Sequence, residues 1–233
     1  MEIVYNKTEA EERTFVQKLV DTAWPDLHPV VGQVLGRGGQ ATVYKLAFAD
    51  GRSEALKVID TSVYRDPARR KDANRRGRSE IHHHKQLSAK TDTVVKFYDS
   101  ASSCERGQDA PMCFLLRMEL LTPLDPKNLV ALDPANREKA VLQIMRDVLE
   151  GLCQTEDAGI VHRDVKCGNI LLRHDPATGQ SRFVLSDFGL ARPFHTRTDR
   201  SFFTVCGSSD HIAPEIIRRG KLIAGRSDIY SAE

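Results

Sequence analysis

Asp164, Lys166 and Asn169 fall within six residues, in the run His162-Arg163-Asp164-Val165-Lys166-Cys167-Gly168-Asn169. A carboxylate, an ammonium and an amide at this spacing are too close to share one strand face, so a loop is the expected setting. Asp187-Phe188-Gly189 follows 23 residues after Asp164, behind the apolar run Phe183-Val184-Leu185. An Asn and an Asp at the ends of two short strands can hold one hard cation through oxygen ligands. Asp164 is then left to accept a proton. Phosphoryl transfer needs these parts: a metal clamp, a positive charge, and a carboxylate that orients the attacking hydroxyl. A lone Asp near a turn would more simply satisfy the backbone. The eight-residue run together with the second Asp is what favours chemistry.

The elements around these residues can be read from periodicity. Val141, Ile144, Met145, Val148, Leu149 and Leu152 lie at helical spacing, one stripe of a long helix. Asp133-Pro134 is its start signal, and it delivers the chain to the 162–169 loop. Far upstream, residues 30–35 read as a strand that runs into Gly36-Arg37-Gly38-Gly39-Gln40-Ala41-Thr42-Val43. Asp50-Gly51 marks a hairpin turn. Residues 54–59 form a third strand with Lys57 in its middle. A glycine-rich turn lets backbone N–H groups approach phosphate oxygens, although glycines alone often mean only a tight turn. Lys57 is more telling. An unpaired buried ammonium is costly, so an anionic partner is expected, and Glu80 can supply it from a helix running from Lys71 or Asn74 to Leu87.

Residues 94–98 and Cys113–Glu119 read as two further strands, and 100–111 as a polar surface loop between them. Residues 8–23 read as a helix with Thr8 and Glu11 in a capping-box pattern, an appendage packed on the rest of the chain. Thr122-Pro123-Leu124-Asp125-Pro126 is a domain boundary signal. Residues 191–206 are polar, basic and rich in hydroxyls; a short helix at 214–219 and a turn at 224–228 are expected after them.

Composition narrows the class. A chain of 233 residues with 40% hydrophobic and 28% charged residues reads as globular, with one or two domains. A net charge of +2 is too small to argue for a nucleic-acid or membrane partner. The five cysteines are scattered, with no C-x-x-C pair, so neither a zinc site nor a disulfide framework is indicated. A reducing, cytoplasmic location fits that usage. The seven Lys or Arg in residues 65–78 offer nuclear import as an alternative, and a solvated helix start is the simpler reading. Adjacent helix positions diverge by about 100°, so His82, His83 and His84 cannot converge on one metal ion. The longest apolar stretch, 112–121, is broken by Arg117 and Glu119 and falls short of the roughly 20 residues of a membrane span.

With strands first, helices second and phosphate chemistry where they meet, residues 30–233 resemble the protein kinase family. The resemblance implies an α+β, two-lobed fold. Residues 30–121 would be a small, mostly antiparallel β lobe, and residues 122–233 a helical lobe incomplete at its C-terminus. Residues 1–29 would be an N-terminal helical extension. The family's glycine-rich pattern is present with Ala41 where the third glycine usually stands. By resemblance, Gly36, Gly38 and Gly39 approach ATP, and Leu35, Val43, Ala55 and Met118 surround adenine. Glu119 and Leu121 bracket the hinge, and Leu171 is the pocket floor. Lys57 holds the α- and β-phosphates and pairs with Glu80. Asp164 orients the substrate hydroxyl and accepts its proton, Lys166 neutralises the γ-phosphate, and Asn169 and Asp187 bind magnesium.

Lys166 is similar to its counterpart in serine/threonine kinases. The implied activity is therefore a transferase moving the ATP γ-phosphate to Ser or Thr hydroxyls of protein substrates. The alternative is an ATP-binding regulatory module, weak or silent in catalysis. The family's last helices have no counterpart here, so a partner or a further segment would complete the helical lobe. A small-molecule kinase is disfavoured by Ala213-Pro214-Glu215 and the hydroxyl-rich stretch before it. Thr204, three residues before Gly207, stands where the family carries a regulatory phosphothreonine, whose phosphate would bridge Arg163 and Arg192. His84, four after Glu80, replaces a usual aliphatic residue, and Cys167 reads as a filler position beside the loop.

Overall fold

The computed structural model describes residues 8–39, 41–103, 112–193 and 226–232. By packing, the chain divides into two units. One is Met1–Gly77 with Phe97–Leu120, the other Arg78–Lys96 with Leu121–Glu233.

The first unit opens with α1 (Glu9–Ala23). Thr8 caps it by accepting from the Glu11 N–H, while the Glu11 carboxylate accepts from the Thr8 N–H at 2.8 Å. Two otherwise orphaned donors are satisfied reciprocally. A five-stranded antiparallel sheet follows, ordered β1-β2-β3-β5-β4, from β1 (Val30–Arg37), β2 (Ala41–Ala47), β3 (Ser53–Asp60), β4 (Phe97–Ser103) and β5 (Cys113–Glu119). Gly51 turns β2 into β3 at φ 85, a left-handed conformation that glycine adopts without a Cβ penalty. Residues 54–59 of β3 are all buried, so this strand is covered on both faces. On one face Leu56, Val58 and Leu115 pack with Val16, Val20 and Trp24 of the α1 segment.

Helix α2 (Pro67–Ser88) begins in this unit, several residues earlier than the sequence indicated. The Asp66 carboxylate accepts the Arg69 N–H at 2.8 Å, and proline suits the first helical position because its missing N–H has no partner to lose. Gly77 lets α2 approach β5 closely: a Cβ there would lie 2.6 Å from a Phe114 ring carbon.

Strand β4 also departs from expectation. It starts at Phe97 and runs through Ser103, into the stretch read as loop. As an edge strand it carries Asp99, Ser100 and Ser102, so no apolar alternation announces it. Val94 instead forms an isolated parallel bridge with Leu185. The rest of the expected loop, 104–111, lies outside the described residues.

The second unit holds α3 (Pro126–Val130) and α4 (Pro134–Asp157). Asp133 caps α4 by accepting from the Asn136 N–H. The buried face is Ile144, Asp147, Val148, Gly151, Leu152 and Thr155, while Val141 is 42% exposed and lies off the stripe predicted for it. Buried Asp147 accepts the Phe183 N–H at 3.0 Å, tying α4 to a small sheet. That sheet is ordered β6-β8-β9, from β6 (Thr122–Pro123), β8 (Ile170–His174) and β9 (Ser181–Leu185). A two-stranded ladder pairs β7 (Ile160–Val161) with β10 (Arg192–Pro193). The core joins Leu87, Val94, Val148, Ile170, Leu185 and Phe188. Helix α5 (Arg226–Ala232) covers residues 226–228 of the expected turn, while residues 224–225 and the helix expected at 214–219 lie outside the described residues. Among the described residues no helix is long and apolar enough to cross a membrane.

Candidate active site

In the second unit the 162–169 segment leaves β7 and enters β8, and hydrogen bonds fix it from several sides. Asp228 of α5 accepts the backbone N–H groups of His162 at 2.8 Å and Arg163 at 2.7 Å. Burial pushes the Asp228 carboxyl upward, against the pull of His162 and of those two donors. Arg163 adopts φ 67, an uncommon conformation for a residue with a Cβ. Its Nε donates to the Leu190 carbonyl at 2.7 Å.

His162 is fully buried, with its ring 5.0 Å from that of Phe188. Its Nε2 lies 3.0 Å from the Ser186 carbonyl, which can only accept. The ring hydrogen therefore sits on Nε2, and Nδ1 is the acceptor for the Asp164 N–H at 3.3 Å. One imidazole thus links the residue before Asp187 to the backbone of Asp164.

The reactive groups then converge. Lys166 Nζ donates to Asp164 Oδ2 at 2.7 Å. Asn169 Nδ2 donates to the Asp164 carbonyl at 2.8 Å and to its Oδ2 at 3.0 Å. Both Asp164 and Asn169 are buried. With its nitrogen held by Asp164, the Asn169 amide has its oxygen left as a ligand atom. The carbonyl of Asn169 in turn accepts the Ser186 N–H and Oγ–H at 2.9 and 3.0 Å. Asp187 follows at φ 63, and its Oδ1 accepts the Gly189 N–H. An amide oxygen and a carboxylate are hard donors that suit Mg²⁺. Glu80 is buried on the α2 part of this unit, and a Cβ at Gly189 would come 2.9 Å from its Oε2. Leu171 lies in β8, Arg192 in β10, and Leu121 just before β6.

The remaining predicted residues lie in the first unit. Leu35 and Gly36 are on β1, Gly38 and Gly39 in the turn after it, and Val43 on β2. Ala55 and Lys57 are buried on β3, and Met118 and Glu119 end β5. Ala55 pairs across the ladder with Met118, and Lys57 with both Val43 and Leu116. The turn closes by a Gly38 N–H bond to the Ala41 carbonyl at 2.8 Å. Thr204 lies outside the described residues.

A family model described as the protein kinase domain matches residues 30–232. The chain belongs to the protein kinase family. Its relatives include the probable serine/threonine-protein kinase PknB of Bifidobacterium longum, 31% identical over 87% of this chain and 28% of that protein. The serine/threonine-protein kinase PknL of Mycobacterium tuberculosis is 32% identical over 91% of this chain and 49% of its own length. CBL-interacting protein kinase 4 of Oryza sativa is 32% identical over 86% of this chain and 41% of its own length. The chain thus spans half or less of the length of these relatives.

Two features of the chain are missed by sequence reasoning. Asp228 is given no role in the site there, yet it holds the backbone of the 162–169 loop. Arg117 reads as an interruption of an apolar strand. It is 7% exposed and makes a two-pronged ion pair with buried Glu54, at 2.9 and 3.0 Å. That a charge inside an apolar strand needs a partner applies to Arg117 as it does to Lys57, and this signal could have found the pair. His84, which departs from the family pattern, is buried with its Nε2 at 2.8 Å from the Val95 carbonyl and its ring 5.5 Å from Phe188.

Proposed function

We propose that this chain, with ATP and Mg²⁺, transfers the γ-phosphate to Ser or Thr hydroxyls of protein substrates. The observation that carries the proposal is the convergence of Lys166 and Asn169 on Asp164 Oδ2. A carboxylate held in that way is oriented to receive a proton from an attacking hydroxyl, and the adjacent ammonium can offset charge on the phosphoryl oxygens. Asn169 and Asp187 would hold Mg²⁺, which supplies charge neutralisation along the phosphate chain. Gly36, Gly38 and Gly39 would approach phosphates through backbone N–H groups, with Lys57 on the α- and β-phosphates and Glu80 as its carboxylate partner. Leu35, Val43, Ala55, Met118, Glu119, Leu121 and Leu171 would form the adenine site. Residues 30–121 and 122–233 would be the two lobes of the kinase fold, and residues 1–29 its extension. Names of relatives such as the Mycobacterium tuberculosis serine/threonine-protein kinase support the hydroxyl class. The catalytically silent alternative has less support, because each of Lys57, Asp164, Lys166, Asn169 and Asp187 is present.

The test is transfer of radiolabelled phosphate from ATP to a general Ser/Thr protein substrate. Asp164→Asn should lower turnover by about 10²–10⁴-fold, the range ascribed to a positioned general base. Lys57→Met should also remove activity. Equal signal from the unaltered chain and both variants would sink the proposal.

A further inference from the structure

Helix α1 packs on the sheet of the first unit. Val16, Val20 and Trp24 share one buried cluster with Tyr44, Leu46, Leu56, Val58 and Leu115 of the sheet. The helix also makes polar contacts along its length. Gln17 accepts the Val31 N–H at 2.7 Å and donates to the Pro29 carbonyl. Glu12 meets Arg37 of the glycine-rich segment at 2.6 Å. A cavity of about 220 Å³ is lined by Glu12, Phe15 and Val16 together with the Gly38-Gly39 turn.

The tighter connection is at the other end. The guanidinium carbon of Arg117 lies 5.1 Å from the Trp24 ring centroid and 5.4 Å from that of Phe48. The same guanidinium forks onto Glu54. Trp24 Nε1 donates to Asp99 at 2.7 Å, and Asp99 pairs with Arg117 in the ladder. A planar cation fixed by two rings and a carboxylate fork has little freedom left.

Alternation along the strands decides what this clamp acts on. Leu56, Val58 and Leu115 face α1, so Glu54 and Arg117, two residues along, share that side. Ala55 and Met118, the next residues in the chain, face the opposite side and pair with each other. The clamp therefore grips the β3 and β5 backbone directly behind two residues of the proposed adenine site.

We infer that α1 is a positioning element for nucleotide binding, acting through Trp24 and Arg117 on the strands that carry Ala55 and Met118. The inference rests on the nucleotide site proposed above. By linkage, nucleotide binding and docking of α1 favour each other to the same degree.

Trp24 is the only tryptophan of the chain, so its emission reports the clamp alone. On the full chain, acrylamide quenching of Trp24 is measured with and without Mg²⁺-ATP, and ATP affinity is measured with a fluorescent ATP analogue. ATP should protect Trp24 from quenching. Arg117→Met should raise the Kd for ATP about fivefold or more, the lower end of typical coupling between sites, with a higher KM and an unchanged kcat at saturating ATP. Arg117→Lys, which keeps the charge but loses the fork, should fall between that variant and the unaltered chain. Wild-type Kd in both folded variants, or quenching indifferent to ATP in the unaltered chain, overturns the inference while leaving the nucleotide site intact. If Arg117→Met does not fold, Arg117→Lys and the quenching comparison decide by the same criteria. Absence of ATP binding by the unaltered chain would instead overturn the site itself, and this inference with it.

Discussion

Asp228 accepts the backbone N–H of Arg163 at 2.7 Å, across 65 residues of sequence. The neighbouring N–H of His162 reaches the same carboxylate. A loop with φ 67 at Arg163 does not hold itself, and this buried acceptor is what offsets its strain. Removing it orphans two buried donors, at about 1–3 kcal/mol each. Asp228→Ala should therefore lower the chemical denaturation midpoint strongly. Asp228→Asn, which keeps an acceptor oxygen, should lose less. An unchanged midpoint in the alanine variant would contradict the assignment.

Gly77→Ala reverses a usual rule. In an exposed helix this change gains about 1 kcal/mol. Here the new Cβ would lie 2.6 Å from the ring of Phe114, which is 2% exposed and has nowhere to move. Overpacking at about 1–3 kcal/mol wins, so the variant should be less stable in urea. Adding Phe114→Leu should recover part of the loss.

The Glu54–Arg117 pair gives a double-mutant cycle. Arg117→Met alone leaves a carboxylate buried, at a cost of about 3–5 kcal/mol. Glu54→Leu combined with Arg117→Met removes both charges and should recover most of that loss. Additive losses in the cycle would show that the two residues act independently.

Acid should weaken the fold through His83. Burial, with His82 and Arg192 nearby, holds its pKa down from 6.5 to about 4. Between those values the unfolded chain binds the proton and the folded chain does not. Stability contributed by neutral His83 is thus complete above pH 6.5 and declines as pH falls toward about 4. Denaturation midpoints of His83→Gln should depend less on pH across that window than those of the unaltered chain. Parallel curves would remove His83 as the cause.

Thr204→Ala should lower transfer activity if a phosphate there engages Arg163 and Arg192. Mass spectrometry of the active chain should then find the modification at Thr204. Unchanged turnover in the alanine variant argues against it.

Much of this architecture is legible because its signals are local. The capping box at Thr8, the Asp50-Gly51 turn and the apolar β3 and β5 runs each depend on neighbours in sequence. The 162–169 loop stands out because its reactive groups are crowded together. What stays hidden depends on distant partners. Asp66 looks like any loop carboxylate until it meets the Arg69 N–H. The polar residues of β4 give no strand signal because an edge strand need not be apolar on alternate sides. His84 reads as a flaw in packing, and only the Val95 carbonyl and the Phe188 ring show how a histidine satisfies both its polar and its flat faces there.

Among the described residues the five-stranded sheet has two edge strands, β1 and β4. Edge strands in general are where a second chain can add itself to a sheet. The β1 end breaks its pairing rhythm at Val31, Val34 and Gly36, and the β4 end carries Asp99 and three serines. Irregular backbone on one side and polar side chains on the other make each a poor template for another strand. Substitutions that tidy either edge, such as Ser102→Val, should leave catalysis alone and appear instead as self-association in concentrated solution.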